Sequence, residues 1–264
     1  MDIFDNESEI IALFQSIRQN ETMLFPSEDD EAKKLFESIV DLDLWKAWTD
    51  SSAHDAPPPD FYNEEMRVMM DIMRVDDHGH KNKKGKIVNP ARQHDTELIH
   101  ELESSGILKQ FSNAKLIVNG ITDLPTHKDH NYSYYYKNFC RTVNSHKEKI
   151  ANYKKNHPGF SVVFFVFDES SMYCSTLESY QNRRVGDLMK AFPHLWFTDK
   201  RFIDVLIDSE IDYLIWFTPY KYANTFIENG ERLILPCAVV INVHYIDKIP
   251  LNDYPLNTME STEL

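Results

Sequence analysis

Apolar residues recur along this chain at two spacings, and the switch between them marks out its elements. Over Ser8–Gln19, Ile10, Ile11, Leu13, Phe14 and Ile17 follow helical spacing against a polar opposite face. Ser27–Asp41 repeats the pattern, with Ser27 offered as N-cap and acids in the first turn, where the helix dipole favours them. A short helix through Leu44, Trp45 and Trp48 follows. Three consecutive prolines, Pro57 to Pro59, then stop any helix.

Met66–Val75 is rich in Met, Val and Ile and predicts a strand, followed by a polar loop over Asp76–Pro90. Ala91–Ser104 predicts a helix with Leu98, Ile99 and Leu102 on one face and Gly106 as its stop. Ala114–Gly120 predicts a second strand. Tyr132, Tyr135, Tyr136, Phe139, Val143, His146, Ile150 and Tyr153 then form one stripe at spacings of three and four, which predicts a long helix over Asn131–Asn156. Phe160–Asp168 is an unbroken apolar run with β-branched and aromatic residues, the mark of a strand covered on both faces. Leu195–Phe197, Asp212–Phe217 and Cys237–Ile246 complete the predicted strands, with a helix at Lys200–Ser209.

Strands alternating with helices predict an α/β fold, or a mixed α+β variant, with a central mixed sheet and helices on both faces. The pattern divides the chain into an N-terminal helical segment (1–55), an α/β domain (56–250) and a loose tail (251–264).

Composition narrows the function classes. The 264 residues carry a net charge of −14, so the field of the whole molecule repels nucleic acid, although screening leaves room for a local basic groove. The acidic N-terminus lacks a signal-peptide pattern, and the longest apolar run, Val162–Phe167, is too short to cross a bilayer. Cys140, Cys174 and Cys237 are widely spaced, which suits reduced thiols and a cytoplasmic setting. No GxGxxG, GxxxxGK[ST] or GxSxG stands in the chain, so dinucleotide, P-loop and α/β-hydrolase chemistries lack their backbone machinery.

The candidate chemistry centres on Asp71. Alternation places it on one strand face with Arg67, Met69 and Met73, and a carboxylate among such neighbours must be paired, hydrogen-bonded or bound to a cation. A purely structural account pairs it with Arg67 or Arg74. Lys81, Lys83, Lys84 and Lys86 crowd the loop that follows and would hold phosphates. Lys137, Arg141, Lys147, Lys149, Lys154 and Lys155 make the long helix basic, which a solvated face also explains. His78 and His80, with His127 and His130, form an alternative cluster suited to zinc.

Pro59-Asp60 followed by Asp71-Ile72-Met73-Arg74, in an order of helix, strands, helix and strand, resembles the PD-(D/E)XK nucleases. The resemblance implies a metal-dependent phosphodiesterase in which Asp60 and Asp71 hold Mg²⁺ or Mn²⁺, with Glu64 as a spare acid. It implies nucleic acid as the partner. Met73 stands where the family has lysine, and only Arg74 or an imported lysine would replace it. Arginine stays protonated and is a poor base. The rival expectation is a non-catalytic acidic interaction protein, a phage or bacterial conflict factor that mimics nucleic acid or docks on a protein partner. Oligomeric state is not encoded legibly.

Overall fold

In the computed structural model, the residues described are 6–17, 22–52, 58–78, 101–102, 104–105, 131–176, 191–219, 221, 225–226, 232–233, 235–256 and 259–261. The strands in chain order are β1 (Thr22–Phe25), β2 (Trp48–Asp50), β3 (Phe61–Asn63), β4 (Val68–Val75), β5 (Ser161–Asp168) and β6 (Tyr173–Thr176). They continue as β7 (Ala191–Pro193), β8 (Tyr213–Phe217), β9 (Thr225–Phe226), β10 (Arg232–Leu233), β11 (Ala238–Asn242) and β12 (Met259–Ser261). The α-helices are α1 (Glu7–Gln15), α2 (Asp30–Val40), α3 (Leu42–Trp45), α4 (Tyr132–Lys147), α5 (Ile150–Asn156) and α6 (Lys200–Asp204).

Seven strands form one mixed sheet in the order β1-β11-β8-β5-β4-β3-β2. Its centre, β4, β5 and β8, is parallel, and β2, β3 and β4 make an antiparallel meander on one side. On the other side β11 runs antiparallel to β8 and parallel to β1. Period-two alternation sorts the central side chains into two layers. Met69, Met73, Val162, Phe164, Val166, Leu214 and Trp216 meet Tyr135, Phe139, Val143, Ile150 and Tyr153 of α4 and α5. Val68, Met70, Ile72, Val163, Phe165, Phe167, Ile215 and Phe217 meet Ile10, Ile11 and Phe14 of α1 with Leu35, Phe36 and Ile39 of α2. The fold is α/β, with helices on both faces of a mixed sheet.

Local chemistry adjusts the predicted boundaries. Asp29, not Ser27, caps α2, its side chain accepting from the amides of Glu31 and Ala32. The long helix divides at Glu148-Lys149 into α4 and α5; Asn131 caps α4 through the amide of Ser133, while α5 starts without a side-chain cap. Tyr132 and Tyr135 are buried, and Tyr134, off the stripe, is 38 % exposed. Leu195–Phe197, expected as a strand, is part of a 3-10 turn over Trp196–Thr198. The strand predicted over Cys237–Ile246 ends at Asn242, whose side chain caps a 3-10 turn at Val243–Lys248. The helix expected over 91–104 lies largely outside the described residues, and the strand over 114–120 wholly so.

β1 and β2, from the segment read as helical, pair into the same sheet as the strands of 56–250. The tail expected to be loose is partly built in: β12 pairs antiparallel with β6, and Met259 is buried. Backbone pairing and an apolar anchor hold it where composition alone suggested a free end. Among the described residues no helix is long and apolar enough to cross a membrane.

Phe14 joins α1 to the sheet, its ring edge-on to Phe36, Phe165 and Phe217 at centroid distances of 5.8, 5.0 and 5.1 Å. We expect Phe14→Ala to lower the unfolding free energy by about 3–5 kcal/mol in urea titrations, through lost transfer energy and the cavity left behind. The slope of the transition should stay unchanged.

Candidate functional site

The meander β2-β3-β4 brings two acids of the sequence motif together. β3 and β4 pair as Asn63↔Val68, Tyr62↔Met69 and Phe61↔Met70, and the next step of that register sets Asp60 opposite Asp71. Asp60 is fixed from both sides. Ser51 donates its amide to the Asp60 carbonyl (2.8 Å) and its hydroxyl to the Pro59 carbonyl (2.5 Å). The Asp60 side chain accepts the Ile72 amide at 2.7 Å. Asp71, 3 % exposed, lies between Met69 and Met73 on the α4–α5 side of the sheet. His146 Nδ1 of α4 is 2.5 Å from its Oδ2, and the Tyr153 hydroxyl of α5 donates to the same oxygen at 3.0 Å.

The two acids stand opposite each other across the β3–β4 pair, near enough for the charge of one to act on the other. Burial, then the charge of Asp71, push the Asp60 carboxyl up to about 8; the Ile72 amide opposes this, and Glu7 at the start of α1 adds a smaller push upward. Asp60 therefore keeps its proton at neutral pH. Burial and the charge of Asp71 likewise raise the Tyr153 hydroxyl, which stays a donor.

The other predicted site residues fall elsewhere. Neither arginine pairs with Asp71. Arg67 donates from Nη2 to the Pro158 carbonyl at 3.2 Å, and Arg74 projects to the opposite sheet face by strand alternation. Arg74 thus does not replace the missing lysine. Met73 at that position is buried in the layer under α4. Glu64 is exposed in the turn between β3 and β4, three cross-strand pairs from the acids, and does not join them. His78 is buried with Nε2 3.8 Å from Asp77. His80, His127, His130, Lys81, Lys83, Lys84 and Lys86 lie outside the described residues.

A second polar centre closes the carboxyl ends of β4, β5 and β8, where open sheets commonly place their sites. Asp168 is fully buried there and accepts five bonds. Ser170 donates its amide (2.9 Å) and hydroxyl (2.6 Å) to one oxygen; Tyr135 (2.6 Å), Trp216 Nε1 (2.9 Å) and Lys221 Nζ (2.8 Å) reach the other. Lys221 also lies 4.4 Å from the Tyr135 ring centre. Beside it Asp77 accepts the Ser171 amide and the Tyr173 hydroxyl. Asp199 accepts the Tyr132 hydroxyl and lies 2.8 Å from His194 Nε2, and burial holds His194 below its ordinary value. These acids have the partners burial demands, so this end of the sheet is a structural plug. Asp168 belongs to that plug.

Sequence reasoning placed His146 and Tyr153 in a core stripe and missed them as partners of Asp71. The available signal was their shared stripe with Tyr135, whose face turns toward the Asp71 side of the strand. Lys221 carried no sequence signal.

The acid pair offers oxygen donors only, which suits Mg²⁺ or Mn²⁺. Magnesium retains several waters and takes one or two protein carboxylates together with substrate phosphates, so the donor type suits it while Asp71, 3 % exposed, lies under His146 and Tyr153. Among the described residues no group of three or more His, Cys, Asp and Glu is arranged to enclose a metal ion. No protein-family model matches the chain, and no curated protein or solved structure is significantly similar to it.

Two measurements probe these centres. The folded chain holds a proton on Asp60 that the unfolded chain, with its ordinary value of 3.8, releases. Its stabilising contribution is complete below pH ~4 and is lost as pH rises through about 8. In chelator-treated buffer, the wild-type melting point should fall more between pH ~5 and pH ~9 than that of Asp60→Asn. At the plug, Lys221→Met leaves Asp168 buried without its cation and should cost about 3–5 kcal/mol in denaturant melts. Adding Asp168→Asn should recover part of that loss.

Proposed function

We propose that this protein is a metal-dependent phosphodiesterase acting on nucleic acid, with Asp60 and Asp71 as the acids that hold Mg²⁺ or Mn²⁺. The observation that carries this reading is the pairing of two acids from adjacent antiparallel strands in a buried setting. Two buried carboxyl groups side by side cost energy if both are charged, unless one keeps a proton or a cation stands between them. The order of elements supports the resemblance to PD-(D/E)XK nucleases: α1, the meander β2-β3-β4, the α4–α5 connection, then β5 parallel to β4.

The cation would supply Lewis acidity at a phosphoryl oxygen and lower the pKa of a bound water. The residues of the chain do the rest. Ser51 and the Ile72 amide fix Asp60, and His146 and Tyr153 orient Asp71. Met73 cannot move a proton, so His146 is the ionisable side chain nearest the pair in the role that lysine fills in the family. The lysine loop after β4 holds the phosphate backbone in this reading.

A non-catalytic acidic interaction protein is the second reading. It is favoured by Met73 in the lysine position and by the near-complete burial of Asp71 under His146 and Tyr153. Thermal melts separate the two. In the first case Mg²⁺ or Mn²⁺ raises the wild-type melting point, the gain reaching about 2.7 kcal/mol at ~100 times the dissociation constant. Asp71→Asn and Asp60→Asn then abolish both that rise and the cleavage of DNA or RNA. A wild-type melt unmoved by Mg²⁺, Mn²⁺ or Zn²⁺ leaves the interaction protein.

A further inference from the structure

Basic side chains on the two helical layers have different surroundings. On α2 and α3, Lys33 pairs with Glu37 at 4.0 Å, Lys34 with Glu31 at 2.7 Å and Lys46 with Asp43 at 2.7 Å, each within about one helical turn. On α4, Lys137 and Arg141 are both exposed and stand four residues apart, and no position three or four residues from either holds an acid. Among the described residues neither is in an ion pair. Lys137 Nζ lies 5.9 Å from the ring centre of Tyr134, which is 38 % exposed one turn earlier.

A solvated helix face explains this ridge poorly. Like charges at that spacing weaken a helix. The helix dipole favours cations only in the last turn, so Lys137, in the first half of α4, gains nothing from it. Acids outnumber bases 42 to 28 in the chain, so composition does not explain their absence here. The acids of α1 and α2 lie across the sheet, with α4 itself about 10 Å thick in between, beyond the screening length of about 8 Å. The field at the ridge is therefore positive although the net charge is −14. The ridge also leads to the acid pair. At 1.5 Å per residue, Lys137 and Arg141 stand about 14 and 8 Å along the axis from His146, which bonds Asp71.

We propose, resting on the phosphodiesterase reading for the choice of polymer, that this ridge holds the backbone of a single-stranded nucleic acid with a base stacked on Tyr134. Cations beside an exposed aromatic ring are the combination that single strands take, whereas a duplex hides its base faces. A second copy offering its acidic α2 would bind through opposite sides of the sheet, head to tail and without closure, and would leave Tyr134 no role. The test is fluorescence anisotropy with a labelled oligothymidylate and a duplex of equal length, in EDTA at low and physiological salt. Lys137→Gln with Arg141→Gln should weaken single-strand binding at least about tenfold and lower the salt slope by about 1.4, from two contacts at ~0.7 each. Tyr134→Ala should weaken it about tenfold with the slope unchanged. Lys33→Gln with Lys34→Gln, on the other layer, should change nothing. These side chains are exposed, and urea melts confirm that each variant folds. The proposal is overturned if the wild type does not bind the single strand, or if the α4 double variant binds like wild type. Equal affinity for the duplex or for polyglutamate overturns it too. Because no metal is present, these outcomes are independent of the Mg²⁺ melts: the ridge can bind while the acid pair is inert, and the reverse.

Discussion

A strand buried on both faces has no side on which to put a polar group at low cost. β4, β5, β8 and β11 are all of this kind, and they make up the centre of the sheet. Each polar side chain among them must therefore end a strand or carry its partners with it. That demand separates the two acidic centres. Asp168 sits at the end of β5 and is met by five donors, one of them a lysine. Asp71 lies within β4, and its cross-strand neighbour is another acid. The first arrangement is neutral and complete. In the second, two acids cannot both carry charge at low cost, so Asp60 holds a proton while His146 and Tyr153 bond Asp71 Oδ2.

This difference is what the proposed site rests on. Open parallel sheets tend to place their ligands beyond the carboxyl ends of the strands. Here that end is filled by Tyr132, Tyr135, Tyr173, His194 and Lys221 around three satisfied acids, with Tyr135 and Tyr173 stacked at 5.8 Å. The unresolved electrostatics lie instead on the flank where the meander joins the parallel core. Perturbed titration in a cluster of like charges is a physical signature of function, although ion-pair networks share it.

Periodicity made much of this readable. Apolar runs in β5, β8 and β11 announced strands covered on both sides, and the stripes of α1, α2 and α4 announced the cover. The break at Glu148-Lys149 was hidden because Val143, His146, Ile150 and Tyr153 keep spacings of three and four across it. β1 and β3 are too short, at four and three residues, for alternation to register. Asp60 and Asp71 were paired in the sequence through the resemblance to the nuclease motif alone; the short turn and the register that set them opposite each other belong to the structure. Their partners were not legible that way. His146 and Tyr153 stand 75 and 82 positions from Asp71, and only tertiary packing joins them. The move of the cap from Ser27 to Asp29 has a similar cause: the other oxygen of Asp29 accepts Asn242 Nδ2 at 2.5 Å, a contact between distant segments.

That contact, together with the ladder from Thr22↔Ala238 to Phe25↔Ile241, ties the opening of the sequence to its last central strand. On a ribosome, β1 and the capped start of α2 emerge early and must wait for β11 before their places exist. Contacts so far apart in sequence close late and slow the search for the native state. In the interval, β1 and the part of the α1–α2 layer that meets Ala238 and Val240 stay uncovered in a nascent chain, an aggregation hazard that chaperones relieve. The topology makes late synthesis, rather than early collapse, the moment at which this fold becomes complete.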